Sequence, residues 1–224
     1  MGANVTLNSA EGFELGAYVA QPEGEPIGAV VVIQEIFGVN QHIREVADGY
    51  AAAGYYAIAP KIFDRIERDI ELGYEEADMG QGIELAFQKL DHGLALADVQ
   101  TAINAAAEHG KVGVVGYCFG GLLTWLSACQ LDNVSAASSY YGGGVAGQVA
   151  MTPKCPIIMH FGELDAHIPM SDVDKVRNAH PDVPVHVYAA DHGFNCDHRG
   201  SFDADAATTA RERTLEHFAA NLGS

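Results

Sequence analysis

The fold is decided by the stretch Val112-Gly113-Val114-Val115-Gly116-Tyr117-Cys118-Phe119-Gly120-Gly121. An apolar run of strand length ends here in Gly-x-Cys-x-Gly, and a helical pattern from Leu122 to Cys129 follows. This strand-turn-helix order is the context that a nucleophile elbow requires. Gly116 and Gly120 leave room on so sharp a turn, where a Cβ would clash, so the pattern predicts Cys118 as a nucleophile above the strand end. The alternative for a lone cysteine after a strand is a buried core residue.

Length and composition limit the class of protein. The 224 residues include 12 basic and 30 acidic ones, for a formal net charge of −18. We expect one domain over residues 1–224, because α/β domains commonly reach this length and no linker composition divides the chain. The acidity argues against nucleic acid or an anionic membrane as partner and favours a soluble enzyme. We expect a small-molecule substrate and a monomer or homodimer.

The distribution of apolar residues and cysteines predicts the compartment. No apolar run approaches the roughly 18 residues of a membrane span, and no signal-peptide pattern opens the sequence. Four cysteines lack paired spacing, and in a chain of this size they predict reduced thiols and a cytoplasmic location. They are Cys118, Cys129, Cys155 and Cys196.

Strand and helix patterns alternate along the chain. Period-two alternation predicts an N-terminal hairpin around residues 9–12, and continuous apolar runs predict buried strands. The predicted strands are 29–33, 55–59, 112–117, 134–141, 156–161 and 185–188, and the predicted helices are 41–53, 91–108, 122–129, 171–179 and 203–222. Residues 61–90 are charged and loosely periodic, which predicts short helices over the rim of the site. The alternation predicts a doubly wound, mostly parallel sheet with helices on both faces.

Two further strand ends carry groups that suit a nucleophilic site. Asp165 follows the strand at 156–161, and His192 follows the strand at 185–188. In doubly wound sheets reactive groups lie beyond the carboxyl ends of the strands, so both are expected near Cys118. Their chain order, nucleophile, acid and histidine, is that of the α/β-hydrolase triad, in which the acid orients the histidine that moves the proton. The alternatives are a helix cap for Asp165 and a turn residue for His192.

Four motifs resemble the dienelactone hydrolase family, the cysteine branch of the α/β-hydrolases. They are Gln34-Glu-Ile-Phe-Gly38, Gly116-Tyr-Cys-Phe-Gly-Gly121, Phe161-Gly-Glu-Leu-Asp165 and His192-Gly-Phe194. The resemblance covers nearly the whole chain and implies the α/β-hydrolase fold with a triad of Cys118, Asp165 and His192. It also implies hydrolysis of activated esters or lactones through a covalent intermediate.

The same resemblance assigns further site residues. It places the oxyanion hole at the backbone amides of Ile36 and Phe119. It implies that Glu35 pairs with the resting thiol and swings away when substrate binds, whereas the alternative for Glu35 is a solvated loop carboxylate. The residues expected to contact substrate are Phe37, Tyr117, Cys196 and Arg199.

One feature departs from the family pattern. Members that open dienelactones hold the substrate carboxylate with arginines, one of them four residues past the catalytic histidine, where this chain has Cys196. The helix expected within 70–90 has no arginine either. Arg199, Arg65 and Arg68 are the candidate replacements. We therefore expect a preference for neutral substrates, with aryl phosphotriesters or dienelactones as alternatives.

Two other classes of function stay open. The spacing of His192, Cys196 and His198 suits zinc ligands on a loop. A non-catalytic thiol sensor on the same fold is the second alternative. The triglycine at 142–144 lacks the spacing of a nucleotide-binding loop. The hydrolase hypothesis itself requires no cofactor and no metal.

Overall fold

Eight strands form one sheet in the computed structural model, which describes residues 2–223. In chain order they are β1 Ala3–Asn8, β2 Glu14–Ala20, β3 Ala29–Ile33, β4 Tyr56–Pro60, β5 Val112–Tyr117, β6 Val134–Tyr140, β7 Ile157–Gly162 and β8 Val185–Tyr188. Across the sheet the order is β1-β2-β4-β3-β5-β6-β7-β8. The β1–β2 and β2–β4 pairs are antiparallel and the remaining pairs are parallel, so the predicted mostly parallel sheet is confirmed.

The α-helices of the described residues connect these strands. They are α1 Gln41–Ala52, α2 Glu76–Glu84, α3 His92–Ala106, α4 Phe119–Gln130, α5 Met170–Ala179 and α6 Ala204–Leu222. Asn40, Asp91 and Asp203 each accept a hydrogen bond from the backbone amide three residues on. Such a cap satisfies a donor that the first helical turn leaves free, which is why α1, α3 and α6 begin within one residue of their predicted starts.

The centre of the sheet is buried on both faces. Every residue of β3, β4 and β5 is buried. Because successive side chains of a strand point to opposite faces, complete burial means that helices cover both sides. The continuous valine and isoleucine runs of the sequence are the local cause of this arrangement.

The turn between β5 and α4 is held by glycines. Cys118 has a φ of 56° and a ψ of −114°, a backbone conformation that costs energy for a residue with a Cβ. A Cβ on Gly116 would lie 2.1 Å from the carbonyl oxygen of Gly120, and a Cβ on Gly120 would lie 2.4 Å from that of Ile33. The predicted steric role of both glycines is confirmed. Helix α4 begins at Phe119, three residues before its predicted start, because the glycines belong to its first turn.

The segment from 61 to 90 forms short helices, as predicted. A 3-10 turn at Ile62–Arg65 is followed by α2 and then by a π-helical turn at Leu85–Lys89. A Cβ on Gly82 would lie 2.5 Å from the carbonyl oxygen of Ile36, and the ring of Phe87 lies 5.3 Å from that of Phe119. The segment thus packs on residues from two of the loops predicted to form the site.

Within residues 2–223, no helix has the length and apolarity needed to cross a membrane.

Candidate active site

Cys118, His192 and Asp165, called the triad below, form a continuous hydrogen-bonded chain. Sγ of Cys118 lies 3.1 Å from Nε2 of His192, and Nδ1 of His192 lies 2.7 Å from Oδ2 of Asp165. Oδ1 of Asp165 accepts from the amides of His167 and Ile168 at 2.8 and 3.1 Å. Each reactive atom of the chain therefore has a partner. Three loops far apart in sequence meet at one edge of the sheet, as their positions after β5, β7 and β8 predicted.

The charges of the triad reinforce one another. Burial opposes a charged imidazole, but the Cys118 sulfur and the Asp165 carboxylate outweigh it and raise the pKa of His192 to about 10. Burial also acts to raise the pKa of Asp165, yet the hydrogen bonds from His192 and from two amides lower it. Both shifts favour an imidazolium beside a carboxylate at neutral pH. An imidazolium is the partner that a nucleophilic thiolate needs.

The two amides expected to form the oxyanion hole are available. Ile36 lies just after β3, and Phe119 is the first residue of α4, where an amide has no intrahelical acceptor. In the part of the chain that the structure describes, neither amide donates to a backbone carbonyl. The amino end of α4 also carries a partial positive charge. Donors of this kind can stabilise an oxyanion that develops beside Cys118.

Glu35 has a different partner from the one that the family resemblance implied. Its side chain is 1% exposed, so the alternative of a solvated loop carboxylate is wrong. Its Oε1 lies 3.4 Å from Nη1 of Arg199, whereas the Cys118 sulfur faces His192. A buried carboxylate is stabilised more by a guanidinium than by a neutral thiol, which accounts for the arrangement. The structure thus pairs Glu35 with Arg199, and no hydrogen bond joins it to the nucleophile.

The four residues expected to contact substrate differ in their surroundings. The guanidinium of Arg199 lies over the rings of Phe37 and Tyr74, at 5.5 and 5.8 Å from their centroids. Tyr117 is a core residue whose hydroxyl lies 3.5 Å from that of Tyr50. Cys196 is fully buried. Phe37 is likewise buried, at 1% exposure. The expectation of direct substrate contact by Phe37, Tyr117 and Cys196 is therefore corrected, because the packed core encloses all three side chains.

Only one of the three candidate replacement arginines lies at this site. Arg65 forms an ion pair of 2.7 Å with the buried Asp98, and Arg68 lies 3.7 Å from Asp64. These pairs hold both arginines on the side of the molecule near β2 and α3. Arg199 instead reaches the buried Glu35, and its side chain is 13% exposed.

The zinc ligands suggested by sequence spacing do not come together. His192 uses both ring nitrogens within the triad, and His198 lies 2.6 Å from Glu45. Among residues 2–223, the groups with metal-ligand geometry are Glu35, His42 and Cys196, and also His42, Asp197 and His198. His42 was missed from the sequence because it adjoins the apolar stripe of α1 and has no motif of its own.

Tyr141 was also missed at the sequence level. It directly follows β6, has a φ of 36° and is fully buried. Its ring centroid lies 5.1 Å from that of His192, so it packs against the predicted general base. The available signal was its place after a strand and before three glycines, which is also where loops of the site begin.

Comparison with known proteins identifies the family. The model of the dienelactone hydrolase family matches residues 15–222. A relative from Synechocystis sp. is 35% identical over 236 residues, which cover 95% of this chain and 94% of the relative. A carboxymethylenebutenolidase from Pseudomonas putida is 32% identical over 225 residues, with 96% and 95% covered.

Solved structures share the fold. A dienelactone hydrolase-like promiscuous phosphotriesterase from metagenomic libraries superposes with a TM-score of 0.80 at 21% identity, over 99% of both chains. A dienelactone hydrolase from Anabaena variabilis superposes with a TM-score of 0.72 at 16% identity, over 99% of this chain and 98% of that one. The chain therefore belongs to the dienelactone hydrolase family and is a hydrolase with the α/β-hydrolase fold.

Proposed function

We propose that the enzyme cleaves activated carboxylic esters or lactones through a covalent intermediate on Cys118. The observation that supports this most directly is the chain from the Cys118 sulfur to His192 at 3.1 Å and from His192 to Asp165 at 2.7 Å. The strained elbow that presents the sulfur is a second support. A nucleophile, a base and an orienting acid in this order are the requirements of acyl transfer.

The reaction proceeds in two halves. The thiolate of Cys118 attacks the carbonyl carbon, and the Ile36 and Phe119 amides bind the oxyanion. The tetrahedral intermediate expels the alcohol, which takes a proton from the imidazolium of His192, and a thioester remains. His192 then removes a proton from water, the hydroxide attacks the thioester, and the thiolate leaves with the acid as product. Asp165 holds the imidazole in the required orientation throughout.

The leaving group decides which bonds are cleaved. A thiolate leaves a tetrahedral intermediate more easily than an amine does, so an amide returns to starting material unless its nitrogen is protonated promptly. An aryl ester or a strained lactone has a better leaving group and goes forward. Aryl esters are therefore preferred to matched anilides.

The charges near the site favour neutral substrates. The family's arginine position four residues past His192 is occupied by the buried Cys196. Arg199 is already paired with Glu35, so together they form a neutral pair. A substrate carboxylate would have to compete with Glu35 for this guanidinium. The name of the Pseudomonas putida relative describes the ring opening of dienelactones, which carry a carboxylate. Because of the competition with Glu35, we rank this reaction as the second candidate function.

A third candidate is cleavage of aryl phosphotriesters. It is favoured by the solved phosphotriesterase of the same fold. The phosphoryl oxygen of a neutral triester can use the two oxyanion amides, and the Cys118 thiolate can attack phosphorus.

All four cysteines lie within the described residues and are free thiols, which supports the proposal of a reducing, cytoplasmic setting.

Replacement of the nucleophile tests the main proposal. Cys118→Ala should lower kcat/KM for a neutral aryl ester by at least about a thousandfold. Cys129→Ser, at the cysteine near the carboxyl end of helix α4, is the matched control and should retain activity. Rapid-mixing kinetics should show a burst of phenol, and intact-mass measurement should detect the acyl group on the native enzyme alone. Equal activity of Cys118→Ala and the native enzyme would contradict the assignment of Cys118 as the nucleophile.

A further inference from the structure

A second buried cluster lies beside the triad. It consists of Glu35, His42 and Cys196, called the Glu35 cluster below, which are 1%, 3% and 0% exposed. One ligand atom of each side chain, a carboxylate oxygen, a ring nitrogen and a sulfur, lies within 4.8 Å of the other two. The catalytic steps above use none of these three ligand atoms.

Two polar atoms of this cluster lack partners. Oε2 of Glu35 and Nε2 of His42 are both buried, and neither has a hydrogen-bond partner among the described residues. Buried polar atoms in folded proteins are nearly always paired, so two unpaired ones in a single cluster indicate a missing ligand. The lone pair on Nε2 of His42 and the nearby Glu35 carboxylate oxygen are both electron donors, and a cation could bind to both.

The surroundings of the cluster match those of metal ligands. Nδ1 of His42 lies 3.3 Å from Oδ1 of Asp197, and donation to this carboxylate leaves Nε2 with a free lone pair. In zinc sites, a histidine that binds the metal through one ring nitrogen commonly donates the other ring N–H to a carboxylate. Burial and the nearby Glu35 carboxylate raise the pKa of the Cys196 thiol to about 12, although the Tyr74 hydroxyl and the His198 amide act in the opposite direction. Cys196 is therefore a neutral thiol in the metal-free protein, and a metal ion has to displace its proton to obtain the thiolate ligand.

We propose that Glu35, His42 and Cys196 bind one zinc ion. A set of one thiolate, one imidazole and one carboxylate suits a borderline dication such as Zn²⁺, whereas Mg²⁺ and Ca²⁺ prefer oxygen ligands only. Binding replaces the S–H bond of Cys196 by an S–Zn bond, and the proton leaves to solvent. The three ligands leave a fourth tetrahedral position for water.

Charge and geometry allow this occupancy. Once the proton of Cys196 has left, Glu35, the Cys196 thiolate and Asp197, set against Arg199, leave an excess of two negative charges, which a dication neutralises. Ligand bonds of about 2.0 to 2.3 Å require the three side chains to draw together by about 1 Å. His42 and Asp197 line a recess of the surface, so one ligand and its carboxylate partner adjoin solvent.

The bound ion would join three parts of the chain. Glu35 lies on the loop after β3, His42 on α1, and Cys196 on the loop that also carries His192. Because the native state alone offers this geometry, zinc should raise the midpoint of thermal unfolding. The ion would also occupy the Glu35 oxygen that has no partner within residues 2–223, so that this oxygen could not pair with the Cys118 thiol.

The test uses Zn²⁺ and Co²⁺ on the full chain after treatment with a chelator. Equilibrium dialysis with metal analysis should find one Zn²⁺ per chain, and Co²⁺ should give a thiolate-to-cobalt charge-transfer absorption. The absorption should persist in Cys118→Ala and in Cys129→Ser, and it should vanish in Cys196→Ser. Asp197→Asn, at a side chain that is 59% exposed, should weaken Zn²⁺ binding by about 10- to 100-fold without loss of fold.

Two results would overturn the proposal. One is the absence of stoichiometric Zn²⁺ in a folded native chain. The other is an absorption that survives Cys196→Ser but disappears in Cys118→Ala, which would place the metal on the nucleophile. If Cys196→Ser does not fold, Asp197→Asn decides, because unchanged Zn²⁺ affinity in that variant contradicts the site. None of these outcomes bears on the hydrolase proposal, which the Cys118→Ala assay tests separately.

Discussion

The triad and the Glu35 cluster lie side by side, yet they satisfy their polar atoms differently. In the triad both ring nitrogens of His192 and both oxygens of Asp165 have partners. In the Glu35 cluster one carboxylate oxygen and one ring nitrogen have none. Complete pairing holds a single arrangement in place, which proton transfer requires. Incomplete pairing leaves groups that can change partner or bind a ligand.

The two histidines show the same contrast in their charge. Burial lowers the pKa of His42, and the Glu35 and Asp197 carboxylates do not compensate. For His192 the effect of burial is outweighed, and the pKa rises to about 10. The difference follows from the partners: His192 has the Cys118 sulfur at 3.1 Å and the buried Asp165 at 2.7 Å, whereas His42 has the exposed Asp197 at 3.3 Å. A carboxylate shielded from water stabilises an imidazolium more strongly.

The largest expected effect comes from breaking the complete chain. Asp165→Asn removes the charge and the acceptor that hold His192, so kcat/KM for a neutral aryl ester should fall by about a thousandfold or more. Asp197→Asn is the matched change at the aspartate beside His42, and it should cost less than about tenfold, because the proposed reaction passes no proton through His42. Steady-state kinetics on both variants measures the difference. Similar losses would mean that the two clusters act as one unit.

A smaller effect should follow from changing the charge of the incomplete cluster. Glu35→Gln frees the Arg199 guanidinium, so the ratio of kcat/KM for a carboxylated lactone to that for a neutral aryl ester should rise roughly ten- to a hundredfold. This range corresponds to a charged hydrogen bond of about 1.5 to 3 kcal/mol. Glu45→Gln, which removes an exposed carboxylate paired with His198, is the control. An unchanged ratio would show that Arg199 does not face the substrate.

The third prediction changes no rate and compares the two histidines by NMR. With a pKa raised to about 10, His192 should stay protonated and show no titration between about pH 6 and 8. In protein freed of metal by a chelator, His42, with a pKa below its ordinary value of 6.5, should be neutral at pH 7 and titrate only in more acidic solution. Cys118→Ala removes a main cause of the raised pKa, so the His192 midpoint should move down. A native His192 that titrates below pH 7 would contradict the proposed charge state.

Much of the fold could be predicted because its causes are local. Buried parallel strands require continuous apolar runs, which are visible in the sequence. The side chains of Asn40, Asp91 and Asp203 cap the first turns of their helices, so these residue types indicate where the helices begin. The start of α4 was predicted too late because the pair Gly120-Gly121 is a pattern typical of turns. In the structure the same glycines permit close contact, since a Cβ on Gly121 would lie 2.5 Å from the carbonyl oxygen of Tyr140.

For the site, the sequence by itself determined that Cys118 stands on an elbow and that Asp165 and His192 follow later strands. Strand ends of a parallel sheet meet at one edge, so chain order was enough to bring the three together. Only the tertiary structure decided the partner of Glu35, the burial of Tyr117 and Cys196, and the place of His42. Glu35 and Arg199 are 164 positions apart, and whether they touch depends on how two loops pack. No local pattern encodes which of several polar groups a buried carboxylate will face, because that choice is a competition among distant neighbours for the same space.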